Sequence, residues 1–278
     1  MNLGVRAHDF GKLPVEELAA RIATHGLTCV QLAVAKAVAG IETDAGRLTP
    51  GLAGHVRAAF ARHGIQIAVL GCYVNLADPD AGTLRAQLGR FKDHLRLARD
   101  FGCSVVGTET GSLNADFSWH PDNHGEAAFN AVLANVRELV GEAEKFGVCV
   151  GVEGVERYVI DSPRRLRRLV DEVGSPNLQL ILDPVNLLNV RNHGDQEAII
   201  EEAFALLGER IAILHVKDFV VEDGRFRSVP AGQGQLNHGL FLRRAKERKP
   251  WIHTLLEDTA PATIGESVRF VRETYARA

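Results

Sequence analysis

VCVGVEGVERYVIDSPRRLRRLVDEVGSPNLQLILD, residues 148–183, contains two strand-sized apolar runs with a helical stretch between them. The first run, VCVGVE (148–153), stops on Glu153, and the second, LQLILD (178–183), stops on Asp183. Between them SPRRLRRLVDEVG (162–174) opens with a Ser162-Pro163 cap and closes on Gly174, the start and stop signals of a helix. A strand, a crossover helix and a second strand within about 35 residues make a βαβ unit with parallel strands.

The same beat runs through the whole chain. Apolar runs recur as NLGVR (2–6), LTCVQLA (27–33), IQIAVLG (65–71) and SVVGTE (104–109), then as the two runs above, IAILHVK (211–217) and IHTLLE (252–257). Helical patterns fill the gaps. PVEELAARIATHG (14–26), LRAQLGRFKDHLRLARDFG (84–102) and NAVLANVRELVGEAEKFG (130–147) each end on a glycine. Eight strands alternating with helices predict an α/β chain folded as a single (β/α)8 TIM barrel, a fold of about 250 residues. An open doubly wound sheet would carry a glycine-rich turn after its first strand, and none follows residue 6. No linker or low-complexity tract divides the chain, so residues 1–278 are read as one domain.

Composition excludes several classes of partner. Of 278 residues, 46% are apolar and 24% charged, an ordinary globular balance, and the net charge of -3 offers no bulk attraction to nucleic acid or acidic membrane. The longest apolar runs are too short to span a bilayer. The start, MNLGVRAHDF, lacks the basic-then-apolar order of a signal peptide. Cys29, Cys103 and Cys149 lie inside apolar runs and no C-x-x-C pair occurs. Free buried thiols in a reducing cytoplasm are therefore expected.

Four polar residues end four successive apolar runs: Glu153, Asp183, His215 and Glu257. In a barrel, chemistry gathers at the carboxyl ends of the strands, where all four fall. Unpaired acids are costly at buried strand ends, and a shared cation would supply the partner. Three oxygen donors and one nitrogen suit one divalent ion, with Mn²⁺ expected and Mg²⁺, Co²⁺ or Zn²⁺ compatible. The alternative is that each acid caps a helix or faces water.

Lys217 shares a strand face with His215 and either enters the site or lies exposed beside Asp218. Glu109 ends the fourth run and precedes TGSLNADFSWHPDNHG (110–125), long enough for a lid, with Trp119 and His120 as substrate-facing candidates. A solvated loop anchored by the tryptophan is the plain alternative. Glu156 and Arg157 either contact substrate hydroxyls or form an exposed ion pair. In PAGQGQLNH (230–238) the glycines could let backbone amides meet an anion, with His238 at the end. His8, just after the first run, is a further candidate.

VGVEG, LILDPVN, LHVKDF, VPAGQGQLNH and TLLED, in that order and spacing, together with YVNLADPD after the third run, resemble the sugar isomerase/epimerase superfamily with a xylose-isomerase-like barrel. That group includes ketose 3-epimerases, hydroxypyruvate isomerases, inosose isomerases and dehydratases, and endonuclease IV-type repair enzymes. The resemblance implies metal ligation by Glu153, Asp183, His215 and Glu257, with Glu153 and Glu257 also acting as acid/base partners. It implies a metal-dependent isomerase or epimerase of a small sugar, ketose or inositol derivative, working through a metal-stabilised enediolate. It also implies a homodimer or homotetramer. A dehydratase on the same intermediate, a metal-dependent hydrolase and a non-catalytic sugar sensor are the alternatives.

Two departures bear on this reading. Many relatives carry a histidine three residues after the strand-six aspartate. Here Asn186 stands there, able to bond a hydroxyl but not to shuttle a proton. The repair branch needs further histidines where this chain has Gly71, Cys72 and Glu109, so DNA cleavage is disfavoured.

Overall fold

The computed structural model describes residues 1–278. Eight of its strands are parallel: β1 (Asn2–Arg6), β2 (Cys29–Leu32), β3 (Gln66–Gly71), β4 (Val105–Glu109), β5 (Cys149–Glu153), β6 (Leu178–Leu182) and β7 (Ile211–Val216), then β10 (His253–Leu256). Nearly all their residues are buried, on both faces, as befits strands covered by helices outside and by each other's side chains inside. They close into a barrel in the order β1-β10-β7-β6-β5-β4-β3-β2. The expected (β/α)8 architecture is the one observed.

The helices that cover it are α1 (Val15–Ala23), a one-turn α2 (Val34–Ala37), α3 (Pro50–Ala61), α4 (Ala81–Leu97), α5 (Glu126–Phe146), α6 (Pro163–Val173), α7 (Gln196–Leu207), α8 (His238–Arg248) and α9 (Ile264–Arg277). Gly147 and Gly174 end α5 and α6 in left-handed conformation, with φ of 60° and 69°. Ser162 holds the N-cap position of α6 with Pro163 in the first turn, but its hydroxyl does not cap the helix. It donates instead to Asp161 Oδ1 at 2.8 Å. The Ser-Pro reading thus placed the helix start correctly and misassigned the hydroxyl.

Inside the barrel, Cys29, Val69, Ile181, Ile213 and Leu255 form a compact layer. Gly107 leaves room for it. A Cβ there would stand 2.8 Å from Val69 Cγ1 and 2.9 Å from Ile181 Cδ1.

One element was not anticipated. After β7 the chain makes an antiparallel hairpin, β8 (Asp218–Glu222) and β9 (Arg225–Val229). Asp223 and Gly224 turn it with φ of 49° and 70°, the two positive values of a type I′ turn. The Asp-Gly pair between FVVE and RFRSV was the available signal. No helix is long and apolar enough to cross a membrane.

Candidate metal centre

Strand ends deliver the four donors. Glu153 is the last residue of β5, Asp183 follows β6, His215 lies in β7 and Glu257 follows β10. All four are buried, and one ligand atom from each lies within 4.8 Å of all the others. Bonds of about 2.1–2.2 Å put opposite ligands of one ion about 4.3 Å apart, so the cluster is already close to that size.

The hydrogen bonds show how the groups are oriented. His215 Nδ1 faces the acids, 3.2 Å from Glu153 Oε1 and 3.3 Å from Glu257 Oε1. Asn186 Nδ2 donates to Glu153 Oε1 at 2.7 Å. Asp183 Oδ1 accepts from the Val185 amide at 2.8 Å. Its Oδ2 is buried and accepts no hydrogen bond, although Lys217 Nζ stands 2.9 Å away as an ion-pair partner. Lys217 Nζ also donates to Glu257 Oε2 at 3.1 Å. A buried carboxylate oxygen met only by the Lys217 ammonium, in a set of three acids and an imidazole, fits a divalent cation of the Mg²⁺, Mn²⁺ or Zn²⁺ kind.

Electrostatics point the same way. Burial alone would lower the His215 pKa, but Glu257 and Glu153 outweigh it and hold the imidazole up at about 9. Burial raises the Asp183 carboxyl to about 6 against the pull of Lys217. Glu257 is kept well below the usual range despite burial, by His215, Lys217 and Arg6. The Lys217 ammonium is held far above its ordinary value against burial, by Asp183 and Glu257. Protonated His215 and Lys217 therefore balance the acids electrostatically, and a cation would replace the His215 proton.

A cavity of about 420 Å³ opens above the cluster. Its lining includes Glu257 and five expected site residues: Lys217, Glu109, Asn186, Glu156 and Arg157. Lys217 is buried among the acids and makes no pair with Asp218. Glu109 pairs in register with Glu153 across β4 and β5. Burial, then Glu153, lifts its pKa to about 7. Glu156 and Arg157 do not pair with each other. Glu156 accepts from Asn189 at 2.5 Å, and Arg157 donates to the Tyr158 hydroxyl at 3.2 Å.

His8, Trp119 and His120 lie outside this lining. Trp119 is 57% exposed, and the loop carrying it is pinned near its base. Buried Asn75 bonds the Ser112 and Asn114 carbonyls, and Asn123 bonds the Leu113 amide and the Arg157 carbonyl. His8 sits edge-on to Tyr73, with ring centroids 6.4 Å apart. Burial, with Arg6 and Lys36, lowers its pKa to about 4.

Arg6, Asn189, Phe226, Ser228 and Asp258 also line the cavity and were not picked out from the sequence. Arg6 ends an apolar run just as Glu153 does, so that signal was present. Phe226 and Ser228 come from the unanticipated hairpin. Asp258, at φ 52°, takes up a left-handed conformation and pairs with Arg6 at 2.8 Å.

The glycine-rich turn at 230–238 does meet an anion, and it is the chain's own Asp218. The amides of Gly232, Gly234 and Leu236 all donate to that carboxylate, at 3.1, 3.0 and 2.8 Å. His238 Nε2 lies 3.1 Å from Asp218 Oδ2, so His238 belongs to this anchor and not to the cavity. Asp218→Asn would turn one acceptor oxygen into a donor facing these amides. It should cost about 2–4 kcal/mol in a urea melt, and an unchanged midpoint would show the anchor to be dispensable.

The sequence model of the family described as Xylose isomerase-like TIM barrel matches residues 19–274. A D-psicose 3-epimerase of Enterocloster bolteae is 27% identical over 146 residues, 51% of this chain and 46% of the relative, so that match spans about half of the epimerase's length. A 2-epi-5-epi-valiolone 7-phosphate 2-epimerase of Actinoplanes sp. is 28% identical over 236 residues, 81% of this chain and 79% of that protein. A Mycobacterium smegmatis barrel protein crystallised with magnesium superposes with a TM-score of 0.73 at 17% identity, covering 94% of this chain and 88% of that one. With strand order, strand-end donors and a family match over nearly its whole length, this chain belongs to the Xylose isomerase-like TIM barrel family.

Proposed function

We propose that this protein is a metal-dependent epimerase or isomerase acting on a small, neutral polyhydroxy ketone, either a ketose or an inositol derivative. The observation that carries the proposal is the convergence of Glu153, Asp183, His215 and Glu257 within 4.8 Å at the catalytic end of the barrel. The two relatives named as epimerases support the reaction class. Mn²⁺ is the ion proposed, and Mg²⁺ is the alternative favoured by the magnesium-bound barrel.

A divalent cation held by these four residues supplies the positive charge that polarises a carbonyl and its neighbouring hydroxyl. The chain's own groups then handle the proton. Glu153 and Glu257 reach the cluster from β5 and from the end of β10, on either side of β6 and β7 in the barrel. One carboxylate removes the proton from the carbon beside the carbonyl, leaving an enediolate. The other, entering the turnover as the protonated acid, gives its proton to the opposite face and inverts that carbon, or to the adjacent carbon and moves the carbonyl, and exchange with water then resets both groups. Lys217, 3.1 Å from Glu257 Oε2, keeps that carboxylate ionised and anchored. Asn186 orients Glu153 and stands where it can meet a substrate hydroxyl.

The lining favours a neutral substrate. Of its three cations, Arg6 is bound to Asp9 and Asp258, and Lys217 to Asp183 and Glu257. Arg157 alone makes no ion pair, and four acids face the same space. A phosphate would need several uncommitted cations.

The test is solvent exchange. With Mn²⁺ present, one deuterium should enter the carbon next to the carbonyl of a bound ketose in D₂O. A panel of D-fructose, D-psicose, D-tagatose and an inosose, followed by NMR, covers the class. Binding without exchange across the panel would remove the enolisation reading.

A further inference from the structure

We propose that Gln31 is a positioning residue for the metal centre, fixing which nitrogen of His215 faces the acids. This rests on the metal reading above and extends it to a residue on the opposite side of the barrel. Gln31 lies on β2, in the middle of an apolar strand, and is only 2% exposed. A buried amide in such a place needs partners for its polar atoms. Its Oε1 stands 2.5 Å from His215 Nε2, and its Nε2 donates to the Tyr73 hydroxyl.

The consequence is a defined tautomer. A carbonyl oxygen only accepts, so Nε2 of His215 must carry a proton. Nδ1, the nitrogen 3.2 and 3.3 Å from the glutamate oxygens, is then the one whose lone pair is free for a cation once its own proton leaves. The two glutamate oxygens at Nδ1 prevent the obvious failure. If the Gln31 amide rotated, its NH₂ would face Nε2–H donor to donor, and its oxygen would lose its bond to the ring. With Nδ1–H given to the glutamates, Nε2–H needs an acceptor, and only the Gln31 oxygen supplies one; the Tyr73 hydroxyl takes up the other end of the amide. Tyr73 is itself held, with Lys36 Nζ 4.1 Å from its ring centroid and His8 at its edge. Gln31, Tyr73, Glu153 and His215 also converge on one packed region of the barrel interior. An amide at this position adds no charge, unlike a carboxylate, and so fixes orientation without deepening the acidity of the site.

The measurement is Co²⁺ affinity by competition with a chelator, alongside the melting temperature of metal-free protein. Unmodified protein should bind Co²⁺, and failure there removes the metal reading itself. Given that binding, Gln31→Leu should weaken Co²⁺ affinity about 10–100-fold. Gln31→Glu, which keeps an oxygen facing Nε2–H, should recover most of the loss. Should the leucine variant not fold, Gln31→Met carries the same expectation. A purely structural role would lower the metal-free melting temperature and leave Co²⁺ affinity within about twofold of unmodified protein. That result, or a glutamate variant no better than leucine, overturns the proposal.

Discussion

Glu153→Gln and Glu257→Gln should each slow solvent-proton exchange into a ketose by about 10²–10⁴-fold, with the barrel still folded. The glutamine side chain has nearly the shape of glutamate, so the buried packing is preserved. What it loses is the ability to take up a proton and, at the metal, one anionic ligand. These two losses are separable. At a Mn²⁺ concentration that saturates the variant, a pure ligation defect would recover its rate, whereas an acid/base defect would persist. The positions are also unequal. Glu257 is held ionised by His215, Lys217 and Arg6, and its replacement leaves the Lys217 ammonium with Asp183 as its nearest acid. Glu153 is bonded by Asn186 and faces Glu109 across the register. The Glu257 variant should therefore also lose more thermal stability than the Glu153 variant. Exchange within tenfold of the unmodified rate at saturating Mn²⁺ in either variant would remove that residue from the proton-transfer role.

The metal cluster was legible because barrel geometry converts a sequence pattern into a location. Each apolar run ends where its strand leaves the core, and a polar residue at that point must sit at the barrel mouth. Glu153, Asp183, His215 and Glu257 obey this rule, and so does Arg6 at the end of NLGVR. Lys217 was legible through period-two parity with His215. Gln31 was not, because a single amide within LTCVQLA looks like a strand residue exposed on one face. Its burial follows from barrel closure, which gives every strand two covered faces. Trp119 is a candidate on its chemistry beside the plainer reading of a solvated loop, and local hydrogen bonds around Asn75 and Asn123, which no periodicity encodes, settle where that loop stands. The β8–β9 hairpin was hidden by a different cause. Its Asp-Gly turn lies directly beyond a strand already assigned, where a loop is the ordinary reading.

Removing the metal should make the protein less stable as pH rises from about 5 to 9, and a divalent cation should protect it increasingly over the same range. Three groups at the site have raised folded pKa values that fall within this window, Lys217 being raised above it. Asp183 goes from 3.8 to about 6, Glu109 from 4.5 to about 7 and His215 from 6.5 to about 9. In each case the folded chain holds a proton more tightly than the unfolded chain. The corresponding stability is fully present below the ordinary value and is lost as pH climbs through the folded one. Glu257 has the opposite sign: its contribution is present above about pH 4.5 and disappears only in acid, outside this window. The His215 step alone corresponds to about 3 kcal/mol between pH 6.5 and 9. For a chain of this size that is about 6–12 °C in melting temperature. A bound cation takes the place of the His215 proton, so the loaded protein does not suffer this loss, and fewer protons compete for the ligands as pH rises. Melting curves with and without saturating Mg²⁺ at pH 6 and pH 8.5 should therefore diverge, the gap growing by at least about 5 °C. A constant gap, or metal-free protein that becomes more stable across this interval, would mean that His215 is not held protonated among the three acids, and the charge balance assigned to the centre would be wrong.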